Sequence, residues 1–265
     1  MKTVLKCFPG GKTKALTMSY DDNQVFDRRL VETFNKYGIK GTFHIISGTL
    51  DMEGRITSKE VKTLYSGHEV ACHCLTHPVI ARCPDVQVAQ EIIEDRKKLE
   101  DLVGYPVRGL SYPYGSYSKS IMQMLPALGI EYSRIVDNTG DFLLPENFYE
   151  WRPTCHHDYK LMELGQSFLK EYNIHLKLMY VWGHSFEFER KNNWEQIEDF
   201  CKEVGGNAEI WYATNIEIFD YLKALENLKF TAECDIVYNP SAISVWVKVD
   251  EKVIEVPGGA QLKLY

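Results

Sequence analysis

The chain has 265 residues, and 37 acidic against 30 basic side chains give it a formal net charge of −7. An acidic balance argues against nucleic-acid binding, which needs a basic surplus. The sequence has no apolar run of about 20 residues that could cross a bilayer and no secretory signal near its start. Seven scattered cysteines are typical of reduced thiols. We therefore expect a cytoplasmic protein with no nucleic-acid or membrane partner, and its oligomeric state stays open.

Strand-like and helix-like patterns alternate along most of the chain. Repeated alternation of this kind predicts a parallel sheet with helices packed outside it. The predicted strands lie near residues 14–20, 41–46, 69–72, 107–112, 176–182 and 209–213. The predicted helices lie near residues 25–37, 57–67, 85–104, 118–129, 193 onward and 214–227.

The last part of the chain has a different pattern. Apolar residues alternate with polar ones from Ile243 to Val249, which is the period of a half-buried strand. Asp250-Glu251 can turn the chain into a second strand at 252–256. We therefore divide the chain into a main α/β domain, residues 1–228, and a small β-hairpin-type extension, residues 229–265, packed on it.

Carboxylates and imidazoles follow two of the predicted strands. Asp21 and Asp22 end the first strand, and His73 and His77 follow the third. One carboxylate with two imidazoles is a common ligand set for a divalent metal with open coordination positions. The second carboxylate is then free to take a proton from water. The pattern predicts a metal-dependent hydrolase.

Other polar groups follow later strands. The run from Tyr112 to Gly115 follows the fourth strand, and His184 follows the strand at 176–182. In α/β barrels the C-terminal ends of the strands form one face, so these groups are expected to converge. Cys72 and Cys74 would point away from His73 and are predicted to be core thiols.

A second histidine group lies at Cys155-His156-His157. In the sequence it has no carboxylate or suitably spaced partner that would favour a metal site. We interpret it as a loop at the rim, near the substrate.

Four motifs occur in the order and spacing of a known family. They are 19–22 (Ser-Tyr-Asp-Asp), 73–77 (His-Cys-Leu-Thr-His), 111–115 (Ser-Tyr-Pro-Tyr-Gly) and 182–185 (Trp-Gly-His-Ser). Together they resemble the polysaccharide deacetylases, carbohydrate esterase family four, over about residues 14–227. The resemblance implies a distorted (β/α) barrel, here of about seven strands with a short C-terminal β appendage. It also implies one divalent metal, most often Zn²⁺ with Co²⁺, Mn²⁺ or Fe²⁺ as alternatives, and hydrolysis of acetyl groups from sugars.

The resemblance also implies roles for individual residues. Asp22, His73 and His77 would hold the metal. Asp21 would be the general base, and His184 would be the general acid, for which its near-neutral pKa is suited. The backbone N–H of Tyr114 would help to bind the oxyanion.

Two positions depart from the family pattern. Ser111 stands where an arginine often orients the base, and Arg152 is the candidate to replace that arginine. The usual aspartate partner of the acid histidine is also missing, and Asp158 and Glu187 are both candidates for its place.

The expected substrate is an acetylated carbohydrate, N- or O-linked, in the form of a short oligosaccharide. Sugar rings stack on aromatic faces, so we expect at least one of Tyr112, Tyr114, Trp151 and Trp182 to line the pocket. Two alternatives stay open from the sequence. One is hydrolysis of another C–N amide bond, such as that of a small cyclic amide, and the other is a non-catalytic carbohydrate-binding relative.

Overall fold

The architecture is seen in a computed structural model that describes residues 2–172 and 174–265. This part of the chain forms fourteen strands in three sheets. In chain order the strands are β1 (Val4–Cys7), β2 (Lys14–Asp21), β3 (Gly41–Ile45), β4 (Glu69–Cys72), β5 (Gly109–Ser111), β6 (Tyr132–Arg134), β7 (Cys155–His156), β8 (Lys177–His184), β9 (Ile210–Tyr212), β10 (Lys229–Phe230), β11 (Ile236–Tyr238), β12 (Val245–Val249), β13 (Lys252–Val256) and β14 (Gln261–Lys263).

Eight α-helices lie between these strands in the described residues. They are α1 (Asp27–Tyr37), α2 (Val61–Leu64), α3 (Asp85–Val103), α4 (Lys119–Met124), α5 (Leu161–Lys170), α6 (Ser185–Lys191), α7 (Trp194–Val204) and α8 (Asn215–Asn227). In the part of the chain that the structure describes, no helix is both long and apolar enough to span a membrane.

The main sheet has eight parallel strands. Seven of them follow the order β6-β5-β4-β3-β2-β8-β7, and β9 pairs with the first residues of β2. Trp151 forms a parallel bridge to Arg134 of β6, and β7, a few residues later, pairs with β8. The segment from Trp151 to β7 therefore links the two sides of the curled sheet. The predicted fold, a distorted (β/α) barrel, is confirmed.

The core is explained by the sequence pattern of the strands and helices. All eight residues of β2 are buried, as expected for a central parallel strand covered on both faces. The predicted stripe of α3, from Val88 to Val103, is buried against the sheet, and Gly104 ends the helix with a φ of 81°. Thr214 and Glu217 form the predicted capping box of α8.

Two predicted helices are shorter than expected. The helix predicted over 57–67 is reduced to α2, because the Thr57 hydroxyl donates to the Glu60 carboxylate at 2.7 Å and caps no backbone N–H. The helix predicted over 118–129 stops at Met124 and continues as a 3₁₀ turn that contains Pro126. Proline cannot donate the backbone hydrogen bond that would continue an α-helix.

The tail contains the hairpin expected from its alternating pattern. Strands β12 and β13 pair antiparallel, with Val245 opposite Val256. Strand β1, from the other end of the chain, pairs with the free edge of β12, and β10, β11 and β14 form a second small sheet. The division into domains at residue 228 stays a prediction, and the structure adds that the hairpin sheet draws one strand from residues 4–7.

Tyr221 of α8 joins the sheet of β1, β12 and β13 to the barrel. Its hydroxyl donates to the Cys7 carbonyl at 2.7 Å and accepts from the Trp246 N–H at 3.0 Å. The side chain is 3 % exposed, so both backbone groups depend on it rather than on water.

We expect Tyr221→Phe to lower the free energy of unfolding by about 1–3 kcal/mol, because two buried backbone groups lose their partner. Urea denaturation measures the loss. The matched control is Tyr238→Phe, since Tyr238 is 42 % exposed and its change should be close to neutral. Equal stabilities for the two variants would contradict the role of Tyr221.

Candidate active site

Asp21 lies at the end of β2, between two histidines on neighbouring strands. The parallel register places His44 of β3 on one side and His184 of β8 on the other. Asp21 is 3 % exposed, so it lies inside the barrel mouth rather than on its surface. The strand ends thus bring three polar groups together from three distant segments of the chain.

Four groups hold or face the Asp21 carboxylate. Arg134 donates a hydrogen bond to its Oδ2, and the Ser111 hydroxyl donates to its Oδ1 at 3.2 Å. His44 Nδ1 lies 3.2 Å from the same Oδ1, and His73 Nε2 lies 3.7 Å from Oδ2. Burial by itself raises the pKa of Asp21, but Arg134, His73 and His44 outweigh it and hold that pKa well below its usual value. Asp21 is therefore a carboxylate at neutral pH.

Arg134, not Arg152, contacts the candidate base. Arg134 ends β6, is almost completely buried, and lies 4.4 Å from the centre of the Trp182 ring. Arg152 is more than half exposed and pairs with Glu150 at 3.4 Å. The expected substitute for the family arginine therefore needs correction. Arg134 is the last residue of a strand of only three residues, which is too short to be recognised from the sequence.

Asp22, His73 and His77 form a compact group of possible metal ligands, with one ligand atom from each within 4.8 Å of the others. The two Nε2 atoms are 3.1 Å apart, and Asp22 Oδ1 lies 3.7 Å from His73 Nε2 and 3.8 Å from His77 Nε2. Asp22 Oδ1 is buried and has no hydrogen-bond partner. A divalent cation would satisfy this orphaned oxygen, so the residues present fit a metal.

The ring of His73 is oriented for metal binding. Its Nδ1 lies 2.9 Å from the Ser111 carbonyl, which can only accept, so Nδ1 carries the proton and Nε2 keeps its lone pair. Burial lowers the pKa of His73 to about 3, despite the opposing charge of Asp21. Burial also lowers the pKa of His77. Both imidazoles are thus neutral, which is the form that binds a metal.

Two carboxylates of α3 fix the loop that carries these histidines. Asp95 accepts the backbone N–H of His73 at 3.0 Å and that of Ser47 at 2.9 Å. Glu91 accepts the Thr76 N–H at 2.8 Å and the Thr76 hydroxyl at 2.7 Å. The sequence analysis missed both positioning residues, because they look like ordinary polar positions of an amphipathic helix.

Backbone strain is concentrated at the same face. Asp22, His77 and Tyr114 have φ values of 82°, 59° and 57°. Residues other than glycine adopt this left-handed region at a cost and keep it only when their surroundings enforce it. Here the Arg55 guanidinium donates to the Asp22 carbonyl, and the α3 carboxylates hold the His73–His77 loop.

His184 ends β8 and is paired with Glu187. Its Nδ1 lies 3.1 Å from Glu187 Oε2, and its backbone N–H donates to the same oxygen at 3.2 Å. Burial alone lowers the pKa of His184, but Glu187, Asp21 and Asp22 together raise it above its usual value. Of the two candidate partners, Glu187 makes the contact with His184, while Asp158 pairs with Lys191.

The Cys155-His156-His157 segment does have carboxylate neighbours. Glu187 Oε2 lies 3.1 Å from His156 Nε2 and 3.2 Å from His157 Nε2. The view from sequence, that no carboxylate supports this group, was wrong, because Glu187 lies about thirty residues away and is brought close by α6. Cys72 and Cys74 are buried core thiols as predicted, and burial raises the pKa of both well above the usual value.

The four aromatic residues divide into two pairs. Tyr114 is 68 % exposed, and Trp182 is half-buried with its Nε1–H donating to Asn138 at 3.0 Å. Tyr112 and Trp151 are each 1 % exposed and belong to the core. Tyr112 and Trp151 therefore offer no free face to a sugar, and the prediction that at least one of the four lines the pocket now concerns Tyr114 and Trp182.

Comparisons with known proteins support the motif-based resemblance. The profile of the family "Polysaccharide deacetylase" matches residues 9–133, slightly less than half of the chain. A Listeria monocytogenes peptidoglycan-N-acetylglucosamine deacetylase is 23 % identical over 128 residues, covering 47 % of this chain and 27 % of that protein. A Sinorhizobium fredii chitooligosaccharide deacetylase is 25 % identical over 125 residues, covering 46 % of this chain and 56 % of that protein. The matched region is thus only a part of each relative.

Solved structures show the same fold. A Mycobacterium smegmatis structure described as a polysaccharide deacetylase has a TM-score of 0.63 at 15 % identity, covering 85 % of this chain and 96 % of that one. A pseudoenzyme of carbohydrate esterase family four from Bacillus anthracis has a TM-score of 0.52 at 15 % identity, covering 78 % and 66 %. The fold therefore also occurs in a protein described as a pseudoenzyme. In its motifs, its profile match over residues 9–133 and its fold, this chain resembles the polysaccharide deacetylases, carbohydrate esterase family four.

Proposed function

We propose that the protein is a metal-dependent hydrolase that removes acetyl groups from a carbohydrate, with a short oligosaccharide as substrate. One observation carries the proposal. An unpartnered, buried Asp22 oxygen lies beside the two neutral imidazoles of His73 and His77, next to an ionised Asp21. A metal position and a proton acceptor side by side are the arrangement that acyl hydrolysis requires.

Asp22, His73 and His77 would hold the ion, with Zn²⁺ favoured by the nitrogen-rich donor set and Co²⁺, Mn²⁺ or Fe²⁺ as alternatives. When bound, such an ion acts as a Lewis acid that polarises the acetyl carbonyl and makes water more acidic. The His73 tautomer, set by the Ser111 carbonyl, keeps one ligand atom ready for it.

Asp21 would accept the proton of the attacking water. Each carboxylate oxygen can accept two hydrogen bonds, so Oδ2, which takes one from Arg134, keeps a lone pair for this purpose. The low pKa of Asp21 keeps it ionised, as a base must be. Arg134 and the Ser111 hydroxyl each donate to a different oxygen of the carboxylate, so the base is oriented before substrate binds.

His184 would protonate the leaving group, which is the amine of an N-acetyl sugar or the alkoxide of an O-acetyl sugar. Its raised pKa means that a larger fraction carries a proton near neutral pH than for an ordinary histidine. Glu187 holds its Nδ1, so the other nitrogen is free to face the substrate.

The oxyanion and the sugar have candidate contacts at the same mouth. The backbone N–H of Tyr114, in a strained turn at the end of β5, would bind the developing oxyanion. The exposed Tyr114 ring and the half-buried Trp182 ring offer faces for sugar stacking. The names of the Listeria and Sinorhizobium relatives, which specify N-acetylglucosamine and chitooligosaccharide, favour an N-acetylated sugar.

We expect His77→Ala to lose metal from this site and to lower acetate release from N-acetylated chitooligosaccharides by about 10²-fold or more. Asp21→Asn should lose a similar amount of turnover while it retains the metal, because Asp21 is not placed among the ligands. Metal analysis and an acetate assay check the two variants together.

The control for this pair is His175→Ala, since His175 is exposed and lies outside the barrel mouth. It should match the wild type in metal and in turnover. The wild-type protein is loaded in turn with each of the four candidate metals. If none of these forms releases acetate from any acetylated sugar, the proposed function is contradicted. Turnover of a small cyclic amide instead would favour the alternative amide hydrolase.

The acid role of His184 can be separated from its packing by the choice of leaving group. His184→Ala should lower turnover of an N-acetyl sugar by about 10²-fold or more, since an amine must be protonated to leave. The same variant should hydrolyse 4-nitrophenyl acetate at close to the wild-type rate, because 4-nitrophenolate leaves without a proton. Equal losses on both substrates would overturn the acid assignment.

Arg134→Lys tests whether the planar donor geometry of the guanidinium, rather than its charge, orients the base. Lysine keeps the charge but cannot reproduce the planar donor geometry. We expect kcat to fall by about 10-fold or more with KM little changed, because Arg134 acts on the base and not on substrate binding. The control is Arg152→Lys, at a surface position, which should leave both constants unchanged.

A further inference from the structure

A second cluster of ligand-type side chains lies beside the candidate active site. His156, His157, Asp158 and Glu187 each offer one ligand atom, and these atoms lie within 4.8 Å of one another. None of them belongs to the Asp22–His73–His77 group. The cluster forms where the chain leaves β7 and meets the first turn of α6.

His157 is the least satisfied member of the cluster. Its side chain is fully buried, Nδ1 has no hydrogen-bond partner among the described residues, and the carboxylate nearest to Nε2 is that of Glu187, at 3.2 Å. A buried polar atom without a partner destabilises the folded state. The ring lies between Tyr20, at 5.8 Å, and Phe188, at 4.2 Å, so it cannot turn away to find water.

Gly183 shows that the fold makes room for this ring. A Cβ atom at position 183 would lie 2.0 Å from His157 Nδ1, closer than any side chain permits. The backbone of β8 and the ring of His157 are thus in direct contact. A buried imidazole that is fixed in place, with one nitrogen facing a carboxylate, has the features of a ligand.

Glu187 supplies the nearest oxygen. Its Oε2 lies 3.2 Å from His157 Nε2 and 3.1 Å from His156 Nε2. Asp158 Oδ1 lies 3.7 Å from His157 Nε2. Asp158 and Glu187 are partly exposed, at 31 % and 22 %, which gives an ion a route from solvent to the buried nitrogen.

We propose that His156, His157, Asp158 and Glu187 form a second cation site. Two imidazole nitrogens and two carboxylate oxygens at this spacing suit Zn²⁺ or a similar divalent ion of the first transition row. The proposal does not depend on hydrolytic activity, because it concerns residues outside the first ligand group. An ion bound there shares Glu187 with His184. The second cation site and the candidate acid are therefore neighbours through one carboxylate.

Titration calorimetry of the purified metal-free protein with Zn²⁺ measures how many equivalents bind, and this stoichiometry tests the proposal. The wild type should bind two equivalents. His156→Ala should bind one, and so should His77→Ala, because each change removes a different site. The double variant His77→Ala/His156→Ala should bind none, whereas the exposed His175→Ala should still bind two.

His156 is chosen for substitution because its side chain is 16 % exposed, whereas His157 is buried and its loss could disturb folding. Asp158→Asn provides a second variant of the same shape, and it should weaken the second equivalent at least 10-fold. The proposal is overturned if His77→Ala binds no Zn²⁺, or if both His156→Ala and Asp158→Asn bind two equivalents with wild-type affinity.

Discussion

The buried contact between Arg134 and Asp21 joins opposite parts of the barrel. Arg134 ends β6 and Asp21 ends β2, with three strands between them in the sheet order, and both side chains are almost completely removed from solvent. A buried charge without its partner costs about 3–5 kcal/mol, so each residue makes the other tolerable inside the barrel. The same contact lowers the pKa of Asp21 and, together with the Ser111 hydroxyl, orients its carboxylate. The arrangement of the candidate base is therefore inseparable from the closure of the sheet.

The other site residues are held by buried carboxylates that do no proposed chemistry. Asp95 carries the backbone of His73, and burial raises the pKa of Asp95 to about 7 although several hydrogen bonds oppose this. Asp27 accepts the hydroxyls of Ser185 and Tyr65 next to His184, and burial likewise raises its pKa to about 7. The segments around His73 and His184 are thus tied to helices α3 and α1, respectively. This rigidity is what allows side chains from distant segments to stay in register.

The sequence was sufficient for features that depend on local pattern. The long strands and the stripe of α3 could be predicted because apolar periodicity reports burial, and the convergence of Asp21, Asp22, His73 and His184 followed from parallel strands ending on one face. Arg134 could not be found this way, because a three-residue strand has no measurable period. The sequence could not tell that Trp151 and Tyr112 are buried, since proximity in sequence to the motifs does not determine the direction of a side chain. The contact of Glu187 with His156 and His157 is visible only after α6 is placed.

The pairing of β1 with β12 has a consequence for how the chain reaches its native state. Val4 pairs with Val249, so β1 finds its partner only after the long segment between them has been synthesised. Contacts between residues so far apart in sequence carry a high cost in chain entropy and form late. The parallel barrel strands can assemble while the chain emerges, whereas β1 has to wait with its backbone donors and acceptors unpaired. Completion of this small sheet is therefore the step at which a folding chain is most open to wrong partners, including the β12 edge of another copy.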